Sequence, residues 1–194
     1  MDPMALLPIL TAPDPRLKKK SQPIKAVDAE TRQLMDDMLE TMKAAPGIGL
    51  AAPQVGVLKR VIVLEIERED TSTGPLYMAN PEIIDVSEED ATYNEGCLSV
   101  PEHYADVVRP ARVTVRYLDR DNRQQEMACE GLLATCVQHE IDHLDGILFI
   151  DKISSLKRSM ILRKLVKARK EKERDAADGK PTPAKKEPEH APAL

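Results

Sequence analysis

The stretch QHEIDH, residues 138–143, carries two histidines four positions apart. On an α-helix this spacing places both imidazoles on one face, where they can bind a single metal ion. Glu140, beside the first histidine, would then face a water molecule held in the ion's open position. The spacing therefore predicts a metal site, and such a site needs a third protein ligand.

Several residues are candidates for the third ligand. HEIDHLDGILF begins like the long metalloprotease signature, but Phe149 stands where that signature has a histidine. The glutamates from Glu171 onward, which a shorter protease motif would need, lie in a highly charged stretch. Cys136 lies seven residues before His143, about 10 Å along a helix axis, so we expect it to be a packed core residue.

Cys97, in the stretch NEGCLSVPEHY, is the remaining candidate ligand. A thiolate binds divalent transition metals strongly, and the preceding Gly96 lets the backbone approach closely. One cysteine and two histidines leave a fourth position open, as in catalytic rather than structural metal sites.

The metal-binding stretch lies in a predicted helix, GLLATCVQHEIDHLD, that is apolar on most sides and ends before Gly146. Polar side chains on a buried helix carry a large desolvation cost unless a partner such as a metal satisfies them. Periodicity also predicts a first helix at 29–45, a strand at 60–67 and an antiparallel hairpin at 111–130. The expected fold class is α+β, with antiparallel β-sheets around the central metal-binding helix and further helices near the N-terminus and the C-terminus.

Composition limits the function classes. A chain of 194 residues suits one domain. With a net charge of -5 and 3% aromatic residues, the body of the protein does not look like a DNA- or RNA-reading surface. We expect neither a signal peptide nor a membrane span. Three cysteines without a secretory signal favour a reducing compartment, and hence the cytoplasm.

Three motifs, GIGLAAPQ at 47–54, EGCLS at 95–99 and QHEIDHLDG at 138–146, resemble in order and spacing those of the peptide deformylases. The resemblance implies a catalytic domain over 1–166, followed at 167–194 by the end of a basic helix and a disordered tail rich in Pro, Lys, Glu and Ala. It also implies a hydrolase that removes the formyl group from the N-terminal formyl-methionine of nascent proteins and releases formate.

The resemblance assigns roles to individual residues. The implied metal ligands are Cys97, His139 and His143. Glu140 is the implied general base and acid, and the oxyanion would be stabilised by the side-chain amide of Gln54 and the backbone N–H of Leu98. The residues implied to bind the substrate are Gly47, Ile48, Gly49, Glu95, Gly96, Leu132 and Cys136.

Within that set, Ile48, Leu132 and Cys136 are implied to line an apolar slot for the methionine side chain, together with the ring of His139. Glu95 is implied to pair with Arg109. Tyr93 and Thr135 stand where many relatives carry an aliphatic residue, and Tyr104 stands where some relatives have arginine. We therefore expect differences from those relatives in the fine shape of the pocket and in the contacts with the outer part of the substrate.

Ligand chemistry alone favours zinc for a Cys-His-His set. The resemblance implies Fe²⁺ as the physiological ion, with Zn²⁺, Ni²⁺ or Co²⁺ as substitutes. Two other functions are weighed: a metalloprotease, which Phe149 disfavours, and a non-catalytic ribosome-associated module, which the retention of Gln54, Cys97 and Glu140 disfavours.

Basic residues dominate the stretch 157–174. The stretch is either an ordinary solvated helix face or a surface for the phosphates of ribosomal RNA, which would place the enzyme beside emerging chains. Beyond about residue 175 the composition predicts disorder.

Overall fold

The computed structural model describes residues 5–178 and 193–194. The helices of this part are α1 (Ala29–Ala44), α2 (Gly131–Leu144) and α3 (Ser155–Ala177). The strands are β1 (Gly49–Ala51), β2 (Val61–Leu64), β3 (Leu76–Val86), β4 (Asp90–Cys97), β5 (Val100–Pro110), β6 (Arg112–Leu118) and β7 (Gln124–Glu130).

The strands form two antiparallel sheets. Five of them pair in the order β1-β2-β3-β6-β7, and β4 and β5 form a separate hairpin. Helix α2 packs against β1, β2, β6 and β7. The predicted α+β fold, with antiparallel sheets around the metal-binding helix, is therefore confirmed.

Helix α1 begins at a defined cap and ends at a helix-breaking sequence. The Asp28 carboxylate accepts a hydrogen bond from the backbone N–H of Thr31 at 2.8 Å, which satisfies one of the free donors of the first turn. The helix ends just before Pro46 and Gly47, as predicted. Its buried Met35 and Met38 belong to the same apolar cluster as residues of β1 and β2, so α1 supports the sheet from the side away from α2.

Helix α2 follows β7 without an intervening loop and is almost entirely buried from Ala134 to Leu144. Gly146, just beyond its end, has φ of +73°, and a Cβ at this position would lie 2.5 Å from the carbonyl oxygen of Lys18. Only glycine fits this turn, which fixes where the helix stops. The predicted buried helix is confirmed.

The hairpin of β4 and β5 is absent from the sequence-based prediction. Its buried positions include Glu95, Gly96 and Arg109 as well as Ala105 and Val107. Charged inward residues break the apolar alternation that identifies a half-buried strand. By contrast, the hairpin predicted at 111–130, whose inward residues are apolar, is confirmed as β6 and β7.

Helix α3 is exposed on most of its surface. The Ser154 hydroxyl caps it by accepting from the backbone N–H of Lys157 at 3.3 Å, and Leu165 is the buried residue within its range. The helix continues through residue 166, the proposed boundary of the catalytic domain, which stays a prediction. Nowhere in residues 5–178 and 193–194 is a helix long and apolar enough to cross a membrane.

Candidate metal centre

The fold brings together the three predicted metal ligands. Cys97 lies at the end of β4, and His139 and His143 lie one turn apart on α2. One ligand atom from each lies within 4.8 Å of the others, and all three residues are buried. The Cys97 Sγ lies 3.3 Å from the His143 Nε2. Cys136 is outside this group, in agreement with its predicted packing role.

Four buried polar atoms at this centre lack a hydrogen-bond partner among the described residues: His139 Nε2, His143 Nδ1 and both carboxylate oxygens of Glu140. Unsatisfied buried polar atoms are rare because each one carries a desolvation cost. A divalent cation bound by the Cys97 sulfur and by the Nε2 atoms of His139 and His143, with water beside Glu140, would satisfy His139 Nε2 and the Glu140 carboxylate. It would leave His143 Nδ1, which faces away from Cys97, without a partner among the described residues. The residues therefore fit a metal with one open position.

Burial shifts the pKa values of the groups at the centre in the direction that favours their neutral forms. It raises the pKa of the Cys97 thiol and lowers that of His143 well below its ordinary value. It also raises the pKa of Glu140 well above the ordinary value, and the nearby Glu95 carboxylate adds to this shift. A bound cation would oppose the shifts of Cys97 and Glu140, because it stabilises adjacent negative charge.

Glu95 orients the first histidine. Its carboxylate lies 2.9 Å from the His139 Nδ1 and accepts two hydrogen bonds from Arg109, at 2.6 and 3.0 Å. Burial raises the pKa of Glu95, but hydrogen bonds from His139 and Arg109 outweigh it and lower the pKa overall. A proton held on Nδ1 leaves Nε2 free to bind a metal. Arg109 also donates to Asp142 on α2 at 2.8 Å, which joins the hairpin to the helix.

Gln54 reaches the same centre from a short 3-10 helix, Ala52–Val55. Its Oε1 accepts from the backbone N–H of Ala51 at 2.8 Å, and its Nε2 donates to the Ser99 hydroxyl at 3.1 Å and lies 3.6 Å from the Cys97 Sγ. The amide N–H groups therefore face the sulfur ligand. Leu98 follows Cys97 directly, and its side chain lies against Gly47.

The glycines predicted to border the substrate lie where side chains would collide with the site. A Cβ on Gly49 would run into Oε1 of Glu140 and lie 2.9 Å from the Cys136 Sγ. A Cβ on Gly96 would lie 2.7 Å from a ring carbon of Tyr104. The backbone of both glycines therefore passes beside the side chains of Glu140, Cys136 and Tyr104 at distances that leave no room for a Cβ.

The three residues predicted to line the methionine slot lie in one apolar cluster. Ile48 and Cys136 are buried members and Leu132 is partly buried, and the Cys136 thiol lies 3.8 Å from the carbonyl oxygen of Ile48. Thr135 is buried on the same helix, and the hydroxyl of Tyr93 lies near Gly131.

Two features of this region were missed by sequence reasoning. Ser99 contacts Gln54 from the turn between β4 and β5, and its place beside Cys97 in the EGCLS motif is the signal that could have indicated this contact. Residues 193 and 194 lie beside Ile48 and Gly96, and the tail's composition contains no signal for this placement.

Comparison with known proteins agrees with this geometry. The sequence model of the family described as polypeptide deformylase matches residues 6–159. Peptide deformylase from Rhizobium meliloti (strain 1021) is 54% identical over 167 residues, which cover 86% of this chain and 96% of that protein. Peptide deformylase from Rhizorhabdus wittichii is 57% identical, with 86% of this chain and 97% of that protein covered.

The fold is likewise similar to a solved structure of this kind. The crystal structure of peptide deformylase from Ehrlichia chaffeensis matches with a TM-score of 0.84 and 42% identity, over 87% of this chain and 99% of that one. Sequence, fold and the clustered Cys97, His139 and His143 agree, and the chain belongs to the polypeptide deformylase family.

Proposed function

We infer that this chain is a metal-dependent hydrolase that removes the formyl group from the N-terminal formyl-methionine of nascent proteins and releases formate. The observation that carries this conclusion is the buried Glu140 carboxylate, which has no hydrogen-bond partner in the described structure and lies beside the cluster of Cys97, His139 and His143. A general base for water attack needs this placement.

A bound metal ion would be held by Cys97, His139 and His143, and it would supply the Lewis acidity that makes water nucleophilic near neutral pH. Glu140 accepts the proton of the attacking water as the water oxygen bonds to the formyl carbon. When the C–N bond breaks, Glu140 returns this proton to the leaving amine, so that the products are formate and a free N-terminus.

Gln54 and Leu98 stabilise the oxyanion that forms on the formyl oxygen. We assign this role to the Gln54 Nε2, which faces the Cys97 sulfur at 3.6 Å, and to the backbone N–H of Leu98. Loss of one such donor typically costs about 3 to 4 kcal/mol of transition-state stabilisation. Glu95 and Arg109 contribute indirectly, because they hold His139 in the orientation that ligation requires.

The substrate lies in an extended conformation beside residues 47–49 and residues 95–96, with its methionine side chain in the cluster of Ile48, Leu132 and Cys136. Backbone pairing of this kind provides affinity that is independent of sequence, while an apolar pocket selects one side chain. The preference for methionine therefore resides in the cluster, and later residues of the substrate are read mainly through their backbone.

Fe²⁺ is the proposed physiological metal, with Zn²⁺, Ni²⁺ or Co²⁺ as substitutes. The resemblance to the family favours iron, and the donor set of one sulfur and two imidazoles accepts each of these ions. Protein purified without oxygen should gain activity with iron. Stoichiometric zinc in that protein, with no gain of activity from iron, would contradict the assignment.

The decisive experiment measures formate release from a formyl-Met peptide by anaerobically purified, iron-supplied protein and by Glu140→Ala. The native protein should release formate, and the variant should be inactive while keeping its metal and its thermal stability. No release by folded, metal-loaded native protein would refute the deformylase function and favour the non-catalytic module instead.

A metalloprotease is disfavoured by the structure around Phe149. Its ring stacks on His139 at 6.2 Å between centroids, so the position of the long signature's third histidine holds an apolar packing residue. An assay with an unformylated peptide tests the metalloprotease function, and cleavage of an internal peptide bond would support it.

We also propose that α3 contacts ribosomal RNA in the cytoplasm. Its basic residues are Lys157, Arg158, Arg163, Lys164, Lys167, Arg169, Lys170, Lys172 and Arg174. Within the helix range the acidic residues are Glu171, Glu173 and Asp175, and Arg169 pairs with Glu173 at 3.0 Å. The excess of positive charge suits phosphate contacts, which weaken as salt rises.

Ribosome co-sedimentation tests this proposal. Arg163→Glu together with Lys170→Glu should abolish sedimentation with ribosomes and leave deformylation of a short peptide intact. Leu156→Asp is the control because it adds negative charge near the start of the same helix without removing a cation. Co-sedimentation that persists in the double variant would refute the contact.

A further inference from the structure

Residues 193 and 194 join the edges of the two sheets. The carbonyl oxygen of Ala193 accepts a hydrogen bond from the backbone N–H of Ile48 at 3.1 Å, and the backbone N–H of Leu194 donates to the carbonyl oxygen of Gly96 at 3.3 Å. Ala193 also forms a parallel β-bridge with Gly47. These two residues are therefore paired as a short extended segment, on one side with the residues preceding β1 and on the other with β4.

The side chain of Leu194 is buried in the apolar cluster next to this segment. It is 5% exposed and belongs to the same cluster as Ile48 and Cys136, with Leu132 packed against the cluster. These are the residues assigned above to the methionine slot. Leucine and methionine are unbranched at Cβ and similar in volume, so the two side chains can exchange at low cost.

Backbone pairing and side-chain burial thus coincide at the place assigned to the extended substrate. We propose that residues 193 and 194 are a ligand of this chain's own peptide cleft and compete with formyl-Met peptides for it. The competition rests on the proposed deformylase function, whereas the intramolecular contact does not.

The length of the chain permits this contact. Asp178 is the last described residue after α3, and the fourteen residues 179–192 connect it to Ala193. A chain of that length spans at most about 50 Å, and a compact domain of this size is about 40 Å across. Tethering by a connection of this length gives an effective concentration in the millimolar range, so even a weak dipeptide contact fills the cleft in many molecules.

The contact reduces the fraction of molecules whose cleft is open to substrate. A molecule whose cleft holds residues 193 and 194 cannot bind substrate, so the apparent KM exceeds the intrinsic value by the inverse of the open fraction. The chemical step in a substrate-bound molecule is unchanged. A long nascent chain that pairs with more of the cleft displaces the segment more readily than a short peptide does.

The kinetic test compares three single variants of the full chain with the native protein. Leu194→Asp places a charge in the apolar cluster and should lower the KM for a formyl-Met tripeptide by at least about threefold at constant kcat. Leu194→Met keeps an apolar side chain and should retain the native KM. Leu156→Asp, which makes the same change at a leucine that is 69% exposed, should also retain it. An unchanged KM in Leu194→Asp would overturn the competition.

A second measurement detects the contact without turnover. The backbone N–H of Ile48 has Ala193 as its hydrogen-bond partner, so its hydrogen exchange should accelerate at least about tenfold in Leu194→Asp. The amide of Val115 in β6 is the internal control, because it lies inside the five-stranded sheet. Equal exchange of Ile48 in both proteins would overturn the intramolecular contact.

The two measurements separate the possible failures. Faster exchange of Ile48 with an unchanged KM would retain the contact and overturn the competition. Faster exchange with no formate release by any protein would refute the deformylase function alone. A native KM that rises with enzyme concentration would overturn the intramolecular assignment, because the segment would then come from a second copy of the chain.

Discussion

Ser99 holds the side chain of Gln54 in place. Its hydroxyl oxygen accepts a hydrogen bond from the Gln54 Nε2 at 3.1 Å, and its own backbone N–H lies 3.4 Å from the Cys97 Sγ. The Oε1 of Gln54 is fixed independently by Ala51. Ser99 is therefore a positioning residue that restricts the amide to one orientation.

Ser99→Ala removes one of these restraints and leaves the rest of the site intact. We expect kcat to fall about tenfold with little change in KM, because the proposed hydrogen bond from Gln54 to the oxyanion forms in the transition state. Gln54→Ala should cost about 10²- to 10³-fold. In the Gln54→Ala background the serine change should have no further effect. A tenfold loss in both backgrounds would show that Ser99 acts independently of Gln54.

The sequence predicts the residues of the metal centre well because their chemistry is local. His139, Glu140 and His143 lie within two turns of one helix, so the helical period alone places them on one face. Cys97 comes from a strand 42 residues earlier, and its geometry is visible only in the folded chain. The pairing of Glu95 with Arg109, which the resemblance implied, is present as a cross-strand contact. The β4–β5 hairpin that forms this contact was not predicted.

At the scale of elements, β1 lies in direct contact with α2 at Gly49. A Cβ at this position would collide with Oε1 of Glu140 and lie 2.9 Å from the Cys136 Sγ. The absence of a side chain therefore determines how closely the strand approaches the metal-binding helix.

Gly49→Ala should destabilise the protein by about 1 to 3 kcal/mol through overpacking. A double-mutant cycle isolates the contact: in the Glu140→Ala background the same change should cost at least about 1 kcal/mol less. Urea unfolding of the four proteins measures this. An equal cost in both backgrounds would show that the strand shifts without contacting Glu140.

Asp151 connects three elements near the start of α3. Its carboxylate accepts from the backbone N–H of Leu148 at 2.9 Å and from Arg158 at 2.9 Å, and it forms an ion pair with Lys18. Burial raises the pKa of Asp151, but the hydrogen bonds from Lys18 and Leu148 and the charges of Lys18 and Arg158 lower it overall.

A lowered folded-state pKa means that the stabilising effect of Asp151 is complete above the ordinary aspartate pKa of about 3.9 and is lost as pH falls through the folded value. Asp151→Asn should therefore be less stable than the native protein at pH 7, by up to about 1 kcal/mol. The difference should shrink below about pH 4. Thermal unfolding across this range measures it, and a gap that widens toward acid would contradict the assignment.

The β4–β5 hairpin and the placement of residues 193 and 194 were not predicted from the sequence, and each has its own physical cause. Strands β4 and β5 bury Glu95 and Arg109, whose charges compensate each other across the hairpin, and a one-dimensional pattern cannot register such compensation. The placement of residues 193 and 194 depends on their backbone partners Ile48 and Gly96, which are distant in the sequence, rather than on their own composition.

At the scale of the whole molecule, the metal centre is formed by residues of two elements that are separate in the sequence. Its ligands come from the β4–β5 hairpin and from α2, and the ion pair of Arg109 with Asp142 joins the same two elements beside it. The five-stranded sheet supports the opposite side of the helix. Metal binding therefore depends on the relative placement of both sheets.

Metal removal should consequently lower the melting temperature of the whole domain. A ligand at a thousand times its Kd stabilises the folded state by about 4 kcal/mol, and the metal-free protein retains the unsatisfied atoms of His139 and Glu140. We expect a drop of more than about 5 °C after chelation, reversed by added Co²⁺. Cys97→Ala should already melt at the lower temperature and should not respond to chelation. Identical melting of native protein with and without metal would contradict this prediction.

The span between Cys97 and His143 has a consequence for the unfolded chain. A bond through one ion to both residues closes a loop of 46 residues that contains β5, β6, β7 and most of α2. Such a closure resembles a removable cross-link, whose entropic effect grows only slowly with loop length. The bound ion would thus cross-link about one quarter of the chain in addition to its proposed role in the reaction. In a cell short of metal, the unliganded protein would unfold more often and would be degraded by proteases as well as being inactive.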